Sequence, residues 1–203
     1  MEINEYYTFK DSSEGYYKDK GSKFIALGYH VESEEEAKEI LISAKKKYHD
    51  ARHHCYAYRI TPEKEFSRSS DDGEPSGTAG KPILNQLLSS ELYNAMIIVV
   101  RYFGGTKLGV SGLIKAYKEA SCDAILNNKI VKRTITRQIE LTFEYPIMNQ
   151  VMRVIKEEEF KVIENNSGTK CKIILEIKKN KKIFALIKFK KIQGVFITQL
   201  KNK

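Results

Sequence analysis

The chain has 203 residues, 41% of them hydrophobic, and a formal net charge of +9 at pH 7, which suits one large domain or two small ones with a normal globular composition. Its longest apolar run, Ala95–Val100, is strand-sized and far short of the roughly 20 residues a helix needs to cross a bilayer, so no membrane partner is expected. The N-terminal stretch MEINEYYTFKDSSEGYY has no basic start, apolar centre or small-residue cleavage site, and Cys55, Cys122 and Cys171 form no CxxC pair, so the expectation is a cytoplasmic protein without a disulfide framework or zinc knuckle.

In chain order, Tyr6–Tyr17 reads as aromatic, strand-like material with a turn at Asp11–Gly15, and Lys23–Val31 as a strand entered through Gly21. Ser33 is placed to cap a helix with Glu34, Glu35 and Glu36 in its first turn and Lys45, Lys46 and Lys47 in its last, matching the macrodipole at both ends. Ala37, Ile40, Leu41 and Ala44 make its buried stripe. His54–Ile60 alternates as a strand, with Glu65–Arg68 a candidate partner across a Thr61–Lys64 turn. Ile83, Leu84, Leu87 and Leu88 form the apolar face of a short helix, Ala95–Arg101 a buried strand, and Leu113–Leu126 a further helix. Asn127 and Asn128 end that helix, and a basic connector near Asn127–Arg133 marks a boundary between domains at 1–130 and 134–203. Beyond it come strand Ile135–Tyr145, helix Pro146–Glu158, strands Phe160–Glu164 and Lys170–Ile177, a helix from Asn180 to Lys191, and strand Val195–Leu200. That β-α-β-β-α-β order is the ferredoxin-like pattern, so the expected fold class is α+β.

The charge is unevenly placed. Residues 1–130 carry 18 Lys+Arg and 19 Asp+Glu, net −1, whereas residues 131–203 carry 17 and 7, net +10. A cationic half points to a polyanion such as RNA, DNA or the ribosome surface. The alternative is compositional, because Lys outnumbers Arg 28 to 7 and arginine is the better bidentate phosphate ligand.

Two glycine-rich loops carry the chemistry, each at the mouth of a helix, where backbone amides welcome anions. The first is SDDGEPSGTAGKP (Ser70–Pro82) and the second RYFGGTKLGVSG (Arg101–Gly112). Candidate ligand or nucleic-acid contacts are Ser76, Gly77, Thr78, Gly80 and Lys81 in the first, and Arg101, Gly104, Gly105, Thr106 and Lys107 in the second. Neither GxxxxGK[ST] nor GxGxxG is present. Asp71, Asp72 and Glu74 could hold a magnesium ion that bridges to phosphate, or could serve as ordinary turn residues. No other cofactor is expected. His53 and Cys55 fall on one face of their strand and His54 on the other. No complete catalytic constellation assembles from these residues, which favours binding over catalysis.

Lys20–Ala26 (KGSKFIA), His49–Arg59 (HDARHHCYAYR), Ser70–Leu84 (SDDGEPSGTAGKPIL) and Val99–Tyr117 (VVRYFGGTKLGVSGLIKAY) together resemble the IMPACT family, including its bacterial YigZ-like branch. The resemblance implies an N-terminal domain like the second domain of ribosomal protein S-five and a C-terminal ferredoxin-like domain like domain V of elongation factor G. It also implies a link to translation, since the family's eukaryotic members regulate it through a ribosome-associated coactivator of an initiation-factor kinase. The expected function is therefore a translation-associated regulatory protein that binds RNA or the ribosome, with a translation factor or regulatory protein as a further partner. The alternative is an enzyme acting on a phosphorylated small molecule or nucleotide with magnesium.

Overall fold

A computed structural model describes residues 3–200; residues 1–2 and 201–203, the extremities of the two expected domains, lie outside the described residues. The chain divides between Arg133 and Thr134 into two compact units. The first contains β1 (Glu5–Phe9), β2 (Ser13–Asp19), β3 (Ser22–His30), α1 (Glu34–Lys47), β4 (His53–Ile60), β5 (Phe66–Ser70), α2 (Gly80–Ser89), β6 (Ala95–Tyr102), α3 (Gly109–Leu126) and β7 (Ile130–Thr134). The second contains β8 (Thr136–Glu144), α4 (Met148–Glu157), β9 (Lys161–Asn166), β10 (Lys170–Lys178), α5 (Lys182–Lys190) and β11 (Phe196–Gln199). The class is α+β.

The first unit is an antiparallel five-stranded sheet, β2-β3-β6-β4-β5, with helices on both faces. The period of two along each strand divides its core. Ala95, Ile97 and Val99 of β6 join Phe24, Ala26, Cys55 and Ala57 under α2 and α3. Met96, Ile98 and Val100 join Leu27, Tyr58 and Ile60 under α1. β6 is covered on both sides, which is why it reads as an unbroken apolar run. The cap on α1 is as expected: Ser33 accepts the Glu36 N–H at 3.1 Å.

Two local expectations need correction. The first aromatic stretch forms strands β1 and β2 on either side of a turn, as expected, but the turn is shorter and Gly15 lies inside β2. A Cβ on Gly15 would lie 2.2 Å from the Ala124 amide nitrogen, so this glycine serves the close approach of β2 to α3. The basic connector after α3 is a strand: β7 pairs with β1. Residues Ile130–Thr134 alternate weakly, and only the distant partner turns them into strand.

The second unit has the sheet order β11-β8-β10-β9, all antiparallel, around a core of its own that includes Ile139, Leu141, Phe143, Ile173, Leu175, Val151, Ile155 and Phe189. This is the ferredoxin-like order. Its two helices each follow a short 3-10 turn, Tyr145–Ile147 and Lys179–Lys181, so Pro146 and Asn180 sit in these turns and not at α-helix starts.

Candidate functional site

The first loop runs from β5 to α2 and is held by its own carboxylates. Asp71 Oδ2 accepts the Gly77 N–H at 2.9 Å, while Oδ1 accepts those of Ala79 at 2.9 Å and Gly80 at 2.8 Å. Burial pushes the Asp71 carboxyl up, but these three donors outweigh it and hold the group below the usual aspartate value. The anion at the mouth of α2 is therefore the protein's own side chain. Thr78 turns inward as well, its hydroxyl donating to the Pro75 carbonyl at 2.7 Å. A Cβ on Gly80 would lie 2.7 Å from the Ser70 nitrogen, so Gly80 is required where α2 starts against the end of β5.

Asp72 fastens the loop to β4 and α1. Its Oδ2 accepts the His54 backbone N–H at 2.7 Å and its Oδ1 the Lys45 ammonium at 3.0 Å. Desolvation opposes these bonds, and the net result is again a lowered pKa. The Asp72 carbonyl meets His53 Nδ1 at 2.9 Å, and His54 Nε2 meets the Tyr48 carbonyl at 3.1 Å. Both histidines thus complete local hydrogen bonding, and His53 and His54 face opposite sides of the strand as alternation requires.

Glu74 points the other way, into the interior. Its Oε1 accepts from Arg101 Nη1 at 2.6 Å and from the Tyr117 hydroxyl at 2.8 Å. Tyr117 lies 3.3 Å from Cys55 Sγ, which is 2.9 Å from the Asp71 carbonyl. Burial drives the Cys55 thiol up to about 12, so it remains a thiol at neutral pH and is no nucleophile. Burial and the neighbouring Cys55 also push the Tyr117 phenol up. The three acids considered for magnesium therefore diverge toward backbone amides, a lysine and a buried arginine. Among the described residues no three His, Cys, Asp or Glu side chains are disposed to hold a metal ion, and the magnesium chemistry does not fit these residues.

Arg101 ends β6 on the α2–α3 side, 8% exposed at its side chain, between the rings of Phe24 and Phe103. It braces the roots of both loops and does not face solvent. Beyond it, Gly104 touches the β2–β3 turn so closely that a Cβ would stand 1.8 Å from the Gly21 carbonyl carbon. Gly105 and Gly109 take φ of +87° and +73°, values that favour glycine. Gly104, Gly105, Thr106 and Lys107 are exposed, and among the described residues only the Gly104 amide of these four has an internal acceptor, Ser22 Oγ at 3.2 Å. The mouth of α3 has neither a side-chain cap nor an acid in its first turn.

The two loops thus meet through Glu74 and Arg101 at their roots, and not through amides facing a common cleft. Of the ten candidate contacts, Gly77 and Lys81 line a groove of ≈ 330 Å³ between α2 and α3, together with Pro82, Asn85, Gln86, Ile114 and Lys118. Sequence reasoning misses Asn85, Gln86, Ile114 and Lys118. The signal is present in the helical spacing, because the residues left over from the apolar stripes of two adjacent helices must face outward together.

Residues 20–125 match the Impact N-terminal domain family. A Bacillus subtilis protein described as IMPACT family member YvyE is 34% identical over 158 residues, covering 78% of this chain and 73% of that protein. The Escherichia coli protein described as IMPACT family member YigZ is 34% identical over 160 residues, 78% of each chain. A solved structure described as that of a hypothetical protein superposes with a TM-score of 0.73 at 26% identity, covering 99% of this chain and 100% of that one. No helix among the described residues is long and apolar enough to cross a membrane.

Proposed function

Since the chain belongs to the IMPACT family, we propose that it is a translation-associated regulatory protein that works by binding RNA or the ribosome surface. The family's association with translation supports the regulatory part of this reading. One observation carries the binding part: the second unit neutralises most of its acids internally and leaves a surplus of lysines. Glu140 pairs with Lys172, Glu157 with Arg153, Glu158 with Lys188 and Glu176 with Lys161. Lys178, Lys181, Lys190 and Lys191 are exposed and, among the described residues, have no ion-pair partner. Uncompensated cations of this kind attract a phosphate backbone without regard to sequence. The exposed loop Gly104–Lys107 adds amides and an ammonium of the same polarity.

The test is RNA affinity measured from low to moderate ionic strength. Binding should weaken steeply, the logarithm of the affinity falling with slope about −0.7 per neutralised phosphate on a single strand. Absence of binding at low salt, or binding that ignores salt, would remove the direct-RNA reading.

A further inference from the structure

The groove between α2 and α3 has a chemistry that the glycine loops do not explain. Lys81 and Asn85 are one turn apart on α2, and Ile114 and Lys118 one turn apart on α3, so each helix turns one such pair toward the groove. α2 contains no Asp or Glu. The acids of α3 are Glu119 and Asp123, also one turn apart, and Asp123 faces β2, where its Oδ2 accepts the Tyr16 N–H at 2.7 Å. Among the described residues, the charged side chains lining the groove are Lys81 and Lys118. Composition does not account for this, because residues 1–130 are net −1. Lys38, Lys45 and Lys47 meet carboxylates, those of Glu34, Asp72 and Glu14; what sets Lys81 and Lys118 apart is that two cations share one groove. Lys81 and Lys118 are exposed and, among the described residues, have no such partner.

The lining also holds an apolar floor, exposed Ile114 with the largely buried Pro82 beneath, and two side-chain amides, Asn85 and Gln86. Gln86 Oε1 accepts from the Cys122 thiol at 3.7 Å, which leaves its NH2 free to donate, while Asn85 offers both donor and acceptor. The ≈ 330 Å³ volume is at the small end of ligand sites and suits one heterocycle. We propose that this groove seats one nucleotide of single-stranded RNA. The base lies against Pro82 and Ile114 with its edge at Asn85 and Gln86, and the flanking phosphates lie at Lys81 and Lys118. A single strand is required because a base must leave its stack to offer both face and edge. An acidic peptide would also meet the lysines, and poly-glutamate is the probe that separates it from RNA below. The proposal rests on the RNA-binding reading above and locates one of its binding positions.

The experiment is fluorescence anisotropy of short labelled single-stranded oligoribonucleotides with the full chain. Lys81→Glu/Lys118→Glu should weaken binding at least about tenfold and reduce the salt slope by about 1.4, about 0.7 for each phosphate no longer neutralised. Asn85→Ala should keep the slope and alter the ranking of oligo-A, oligo-C and oligo-U. Lys46→Glu, an equal charge change on α1 across the sheet, should leave binding unaltered. All four positions are exposed, and an unchanged thermal midpoint checks folding. Wild-type binding that survives the double substitution overturns the groove and leaves the RNA-binding reading standing; no wild-type binding removes both. Equal dependence of poly-glutamate binding on Lys81 and Lys118, or a free nucleotide monophosphate binding as tightly as the strand, overturns the assignment to RNA.

Discussion

Asp71 decides what the first glycine loop can bind. Three amides converge at 2.8–2.9 Å on one carboxylate, so the ring that the glycines open is filled from within. Asp71→Asn should cost about 2 kcal/mol at neutral pH, the scale of hydrogen bonds to a charged group, as read by urea unfolding. The pH dependence follows from the sign of the shift. The folded Asp71 carboxyl titrates below the unfolded value of about 3.9, so its contribution is intact above about pH 4 and is lost as the pH falls through the folded value. His54, whose burial pushes its pKa below the usual histidine range, acts in a higher window. Its contribution is intact above about pH 6.5 and declines as the pH falls toward the folded value. Stability should therefore fall in two limbs; His54→Gln should flatten the upper limb and Asp71→Asn the lower. A curve that stays level from pH 7 to 3 would contradict both assignments. The Glu74–Arg101 pair is almost wholly buried, so Glu74→Gln should destabilise by about 3–5 kcal/mol by stranding the guanidinium. Tyr117→Phe removes one donor to the Glu74 carboxylate and leaves the ion pair in place, so it should cost about 2 kcal/mol, the scale of a hydrogen bond to a charged group. Equal losses for the two variants would show that the ion pair is not the anchor.

At the scale of elements, glycine acts here mostly through close approach. β2 lies on α3 through Gly15, and the contact is bonded as well as packed: Ser13 Oγ donates to the Ala124 carbonyl at 2.8 Å, and Asn127 Nδ2 to the Glu14 carbonyl at 2.9 Å. Gly15→Ala would place a methyl carbon 2.2 Å from the Ala124 nitrogen and 2.8 Å from the Ala120 carbonyl oxygen. Backbone cannot yield as a side-chain tip can, so the expected loss is about 3 kcal/mol or more, read as a lower thermal midpoint. An unchanged midpoint would mean that β2 does not rest on α3 as described. The legibility of each element follows the range of its causes. α1 is readable because its cap, its charged turns and the stripe of Ala37 and Ala44 are all local. α3 begins at Gly109, a turn earlier than its apolar stripe suggests, because glycine gives no propensity signal and the helix start rests on the sheet beneath it. β7 reads as a connector because its only reason to be a strand, β1, lies over a hundred residues away.

At the scale of the whole molecule, two cores occupy two units. The second has its own four-stranded sheet and buried cluster, so a fragment spanning 134–203 should fold alone and melt in one cooperative transition. A fragment without such a transition would show that its core depends on the first unit. The division of charge follows the same line, neutral before about residue 130 and strongly cationic after it.

Strand alternation, helix stripes, the ferredoxin-like order and the family motifs are legible in the chain because each depends on neighbours within a few residues or on a pattern of residue types. The disposition of the two loops is not. Whether a backbone amide is free depends on which carboxylate reaches it, and Asp71, Asp72 and Glu74 are near-identical in sequence yet reach α2, β4 and α1, and the buried Arg101. The α2–α3 groove likewise exists only once two helices separated by β6 are laid on one sheet, since a surface shared by two elements belongs to neither alone.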